Sequence, residues 1–188
     1  MKLKIQRMLL LLCVRFFHRG QYRKYSKEKE CYYHHTVRVA KAADKYYPKL
    51  NGYEIGLCHD LLEDTKCTST RLYDILRLLC YKPIDVYCII EAVNDLTDLY
   101  TKEYMPSMNR SQRKYREALR LSQCPEIVQT IKYCDFEDNT KSIVKHEPKF
   151  AKIYLREKRY ALNLMMEGDR DLRDKLIEET GKYTELCL

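Results

Sequence analysis

Apolar residues recur every three to four positions along most of the chain, the spacing of amphipathic helices rather than strands. Leu9, Leu12, Cys13, Phe16 and Phe17 predict a first helix over about 4–18, followed by a basic loop to about residue 33. A second helix over about 35–47 stops before Pro48, and a third runs over about 52–63. Leu72, Ile75, Leu76 and Leu79 share one face of a helix from Thr68 to Leu79, with Thr68 as its cap. Pro83 opens the next helix, with Ile89, Ile90, Val93 and Leu96 inward. Residues 97–108 read as a loop containing Pro106, and a polar helix then runs to about Leu121. Pro125 opens a helix through Ser142, with Ile127, Val128, Ile131 and Cys134 as its apolar stripe. A long helix over 149–167 follows Pro148 and ends at Gly168, and a last helix carries Leu172, Leu176 and Ile177. The expectation is an all-α fold of about eight to ten helices in a single domain over 1–188, with a motif-bearing core over about 9–142 and a helical extension over 149–188.

Composition narrows this picture. Only 5 Gly and 5 Pro interrupt 188 residues, which favours long helices. The net charge is +8. Residues 1–50 carry 13 Lys/Arg against 3 Asp/Glu, leaving 22 basic and 24 acidic residues beyond. The basic excess is therefore read as lying in the first quarter, where it would concentrate an anionic ligand. The 9 cysteines include no CxxC pair and are read as small buried hydrophobes in a reducing compartment. The Met8–Val14 run imitates a secretory signal but is ended by Arg15, and no stretch approaches the ~20 apolar residues of a membrane span. The expected setting is cytoplasmic and free of membrane.

The chemistry concentrates at residues 59–64, HDLLED. On one helix His59 and Glu63 would share a face, as would Asp60 and Asp64. Gathering so many titratable groups on one turn is costly unless they are paired or bind metal. His35 upstream and Asp135 downstream complete a set of two His and two Asp, a nitrogen and oxygen donor set suited to Mn²⁺, Fe²⁺ or Zn²⁺. Glu63 and Asp64 are placed to orient a water, accept its proton or protonate a leaving oxygen. Asp135, Asp138 and Asn139 share a helix face.

In order along the chain, HRGQYRK at 18–24, YYHHTVRVA at 32–40, LCHDLLEDTKCT at 57–68, VNDL at 93–96 and IKYCDFEDN at 131–139 form a series. The series resembles the HD-type alarmone hydrolases: the hydrolase domain of RelA/SpoT enzymes and the stand-alone small alarmone hydrolases. The resemblance implies an HD-superfamily helical domain. It also implies a manganese-dependent enzyme that removes the 3′-diphosphate of guanosine tetra- or pentaphosphate, releasing pyrophosphate and GDP or GTP. By position, His35, His59, Asp60 and Asp135 would hold Mn²⁺ or another divalent transition metal. Glu63 and Asp64 would serve the attacking water and proton transfer. Arg23 and Lys24 would face the nucleotide, and Asn139 would contact its sugar or base side.

The chain departs from the pattern at several points. Thr36 follows the metal histidine where the family has Pro, 25–31 holds an insertion, Asn94-Asp95 replaces Thr-Lys, and Glu137 and Asp138 introduce acid. Adenosine alarmones or NADPH are therefore alternative substrates, and a non-catalytic alarmone sensor is the alternative class. The intact Glu63/Asp64 pair argues against the sensor. The expected partner is an anionic nucleotide. No stable nucleic-acid partner is expected, since no zinc finger or aromatic RNA-binding signature is present.

Overall fold

The structure, a computed structural model, describes residues 2–24 and 29–186. Residues 25–28 of the predicted insertion and Cys187 lie outside the described residues. Ten helices account for the described chain: α1 Leu3–Phe17, α2 Tyr33–Tyr46, α3 Gly52–Cys58, α4 Leu61–Asp64, α5 Ser69–Leu78, α6 Pro83–Leu96, α7 Arg110–Leu121, α8 Glu126–His146, α9 Pro148–Leu164 and α10 Arg170–Leu186. No strand occurs among the described residues, where an isolated antiparallel bridge pairs Tyr22 with Cys31. The all-α expectation holds. No helix of the described residues is long and apolar enough to cross a membrane.

Two compact units divide the chain. The first comprises Met1–Lys24 and Glu28–Thr97 and contains α1–α6. In α1 the buried positions are Gln6, Leu10 and Val14, while Leu12 and Phe16 are 54% and 66% exposed. The predicted face is thus out of phase. Four consecutive leucines at 9–12 leave periodicity without a reference, and the polar anchor decides: Gln6 Nε2 donates to the Leu79 carbonyl at 3.0 Å. Next to it, Arg7 donates to the fully buried Glu54 at 2.9 Å and to Asp44 at 2.9 Å. The Tyr81 hydroxyl donates to Glu54 at 3.3 Å. A carboxylate in the core is thereby matched by a guanidinium fork.

Helices α2 and α3 pack closely because of Gly56. A Cβ there would stand 2.9 Å from the Ala40 Cα and 3.1 Å from its backbone nitrogen. Gly56→Ala must push the two helices apart, and a loss of about 1–3 kcal/mol is expected in urea unfolding. Thr68 caps α5 as the sequence indicates, its hydroxyl accepting from the Arg71 N–H at 3.2 Å. Pro83 stands at the first position of α6.

The second unit comprises the described residues from Asp98 onward and contains α7–α10. Asn109 and Gln112 form a reciprocal capping box at the start of α7. Buried Glu117 accepts from the backbone N–H groups of Leu99 and Tyr100 at 3.0 and 3.1 Å, which fastens the preceding loop onto α7. Helix α8 continues one turn beyond the predicted Ser142, to His146. Helix α9 ends at Leu164, short of Gly168. Instead of ending the helix, Gly168 makes room for an aromatic ring. A Cβ there would lie 2.5 Å from the ring of Tyr133, whose hydroxyl donates to the Met165 carbonyl. Of the described cysteines, Cys58, Cys67 and Cys134 are buried, whereas Cys31, Cys80 and Cys88 are exposed, so the reading of all as core hydrophobes is corrected for those three.

Candidate active site

The predicted single helix over 52–63 is broken at the histidine. Helix α3 ends at Cys58, His59 follows as its cap, and Asp60 sits at φ −99°, ψ 0° before α4 begins at Leu61. That bridge conformation is sparsely populated and recurs at active-site residues. It turns the chain so that Asp60 faces both histidines of the first unit. Asp60 Oδ2 lies 3.0 Å from His59 Nε2 and 3.5 Å from His35 Nε2. His35 projects from the first turn of α2 and is fully buried, and His59 is 1% exposed. Their ring centroids are 5.2 Å apart, edge to face.

A hydrogen bond places a proton on one ring nitrogen of His59. Its Nδ1 lies 2.8 Å from the Gly56 carbonyl. A carbonyl only accepts, so Nδ1 carries a proton, which leaves Nε2, the nitrogen facing Asp60, as the one a metal ion would take. The Tyr32 hydroxyl donates to Asp60 Oδ2 at 2.7 Å, which aims the carboxylate. Burial and the neighbouring Asp60 and Asp64 carboxylates push the Tyr32 hydroxyl far above its ordinary value, so it stays a donor. Tyr32 falls within the matched series, yet the sequence assigns it no role. Its only signal is a hydroxyl three residues before His35.

Around this group, His18 is buried and stacks on Tyr32 at 5.0 Å between centroids, with Nδ1 2.7 Å from Gln21 Oε1. Gln21 Nε2 in turn donates to the Asp64 carbonyl at 2.6 Å, tying the HRGQ segment to α4. Arg23 is buried with its guanidinium 5.9 Å above the Tyr32 ring, so it shares this neighbourhood, while Lys24 is exposed. Glu63 and Asp64 lie on α4 at the surface. Partial desolvation and the Asp60 charge raise the Asp64 carboxyl above its usual range. His34 is exposed.

In the second unit Asp135 lies on α8 and is 5% exposed. Asn139, one turn on, donates its amide to Asp135 Oδ1, and Lys132 Nζ lies 3.2 Å from Oδ2. The Asn139 side chain that the resemblance turns toward the nucleotide is thus engaged with the carboxylate. Glu137 is ion-paired with Lys141 at 3.0 Å and Lys175 at 2.8 Å, which holds it below its ordinary value and cancels its charge. Lys132 and Lys158 have no signature in the sequence. Lys158 rests over the Phe136 ring at 3.9 Å. Burial, with Lys114 and Lys132 nearby, pulls its ammonium down to about 7. An amine that loses its proton in the fold but holds it when unfolded makes stability rise with pH between about 7 and its ordinary 10.5. Lys158→Met should therefore be more stable than the parent at pH 7, with the difference shrinking by pH 9; thermal melts at the two pH values measure it.

No family model matches the chain, and no curated protein matches it by sequence. Among solved structures the all-helical fold has a likeness over nearly its whole length. One such likeness is to a solved structure described as a metazoan ortholog of SpoT that hydrolyses ppGpp and plays a role in starvation responses. The two share 18% identity over 94% of each chain, with a TM-score of 0.73.

Proposed function

We propose that the chain acts as one HD-type phosphohydrolase domain that removes the 3′-diphosphate of guanosine tetra- and pentaphosphate in a metal-dependent reaction. The observation that carries this reading is the buried His35–His59–Asp60 group, with His59 Nε2 left for a metal by the bond from Nδ1 to the Gly56 carbonyl, on a fold like that of a ppGpp hydrolase. The donor chemistry fits a divalent cation: the set is two imidazoles and two carboxylates, and His59, Asp60 and Asp135 are held by further hydrogen bonds, as metal ligands usually are. His35, His59, Asp60 and Asp135 would hold the ion, Mn²⁺ on the strength of the family resemblance. When bound, such an ion lowers the pKa of a coordinated water toward neutrality.

The remaining work falls to the chain's own side chains. Glu63 orients the attacking water and accepts its proton. Asp64, raised above its ordinary value, is suited to return a proton to the ribose 3′-oxygen. The new bond joins water oxygen to phosphorus, and the bond broken joins that phosphorus to the 3′-oxygen, so pyrophosphate and GDP or GTP result. Arg23 offers a fork for the phosphates. Asn139 and Lys132 position Asp135.

The test is a substrate panel. Purified protein with Mn²⁺ should release pyrophosphate from ppGpp and pppGpp and not after metal chelation. Phosphate release from NADPH, or turnover of adenosine alarmones alone, would reassign the substrate. Folded, metal-loaded protein that turns over none of these would end the reading. Glu63→Ala distinguishes an enzyme from a sensor: ligand affinity should persist while turnover falls about 10²–10⁴-fold.

A further inference from the structure

Beyond residue 50 the chain is net acidic, yet the second unit gathers positive charge on two packed helices. Helix α7 carries five basic residues and one acid, and α9 carries five and one. The two acids are occupied: Glu117 by Arg120 and backbone N–H groups, Glu157 by Arg110 at 2.8 Å through both oxygens. The net basic excess of the sequence still lies in its first quarter, and packing adds a local cluster to it. Averaging over sequence hid a patch assembled by packing.

Two aromatic rings stand in that patch. Tyr115 on α7 and Tyr160 on α9 approach to 5.4 Å between centroids at an angle of 34°, and are 46% and 40% exposed. Adjoining clefts flank them. One of about 440 Å³ is lined by Met108, Ser111, Gln112, Tyr115 and Arg116. The other, of about 230 Å³, is lined by Ser111, Lys114, Tyr115, Arg156, Glu157 and Tyr160. Along α9, Lys149, Lys152, Arg156 and Arg159 are exposed at spacings of three and four, a row about 15 Å long. Two exposed tyrosines of this size in a charged setting are not needed by a core, since their rings leave much of their area in water.

We propose that this α7/α9 face binds single-stranded nucleic acid, with Tyr115 and Tyr160 stacking on bases and the flanking Lys and Arg side chains holding phosphates. Charge complementarity selects a polyanion. The aromatic pair selects one that carries flat rings, which an acidic peptide does not supply in register with its charges. The row of cations on α9 is longer than one nucleotide, which favours a strand over a mononucleotide. The absence of a linear binding motif is no obstacle, because the platform is built from two helices and not from one signature segment. The proposal is independent of the phosphohydrolase reading.

The test is fluorescence anisotropy with a short end-labelled single-stranded RNA, its DNA counterpart, and GMP as competitor. The expected result is strand binding that weakens steeply with salt. Tyr115→Ala and Tyr160→Ala should each lose about tenfold or more in affinity. Arg156→Gln, an exposed change that spares the rings, should flatten the salt dependence. Unaltered circular dichroism melts and unchanged ppGpp turnover or metal binding would show that the variants remain folded. Three results overturn the proposal: no binding at low salt, binding indifferent to both tyrosine substitutions, or equal capture of an acidic peptide or of heparin.

Discussion

His59→Ala is expected to abolish both divalent-cation binding and hydrolysis, with turnover falling more than about a thousandfold. An ion that supplies several kcal/mol of transition-state stabilisation takes all of it away when it leaves, and each 1.36 kcal/mol is about a factor of ten. The substitution removes the Nε2 that the bond from Nδ1 to the Gly56 carbonyl leaves for the ion, and strips Asp60 of its 3.0 Å neighbour. Isothermal titration with Mn²⁺ and pyrophosphate release read the two losses separately. Tyr32→Phe is the graded companion. It deletes the 2.7 Å bond to Asp60 together with the hydroxyl's hydrogen bond to Asp64, and a loss of about 10–100-fold in metal affinity or activity is expected for such supporting contacts. If His59→Ala kept full activity with metal bound elsewhere, the proposed ligand set would be wrong.

Arg7→Met should cost about 3–5 kcal/mol of stability, the largest effect expected of any substitution outside the site. The change strands Glu54, which is 0% exposed, without its guanidinium, and an uncompensated buried carboxylate is among the costliest defects a core can hold. Arg7→Met combined with Glu54→Gln should recover much of the loss, because the remaining amide can still accept from Tyr81. Urea unfolding of the two single variants and the double variant closes the cycle. A sum of single losses equal to the double loss would show that the pair does not interact.

These two sites differ in how visibly the chain announces them. The residues proposed to carry the chemistry were legible because metal ligation would demand particular side chains: HDLLED, His35 and Asp135 stand out whatever the fold. Helix starts at Thr68, Pro83 and Pro148 were legible for a related reason, since caps and proline act locally. The Arg7–Glu54 pair was not, because 47 residues separate the partners and neither departs from a solvated pattern. The break at Asp60 was hidden as well. A helix through 52–63 satisfies every local preference, and only the convergence of Asp60 on His35 and His59 makes the sparse backbone conformation worthwhile. The inward face of α1 was unreadable from a run of leucines and was set by one glutamine reaching Leu79. Asn139 illustrates a subtler gap: position identified it, but only coordinates show its amide committed to Asp135.

The close approach of α2 and α3 has a bearing on how this lineage can vary. At most crowded positions an enlarged side chain is accommodated when a neighbouring one shrinks. At Gly56 the obstructing atoms are the Ala40 Cα and backbone nitrogen, which every amino acid possesses. No second-site replacement can make room, so this position should tolerate no drift in any descendant that keeps the two histidines face to edge.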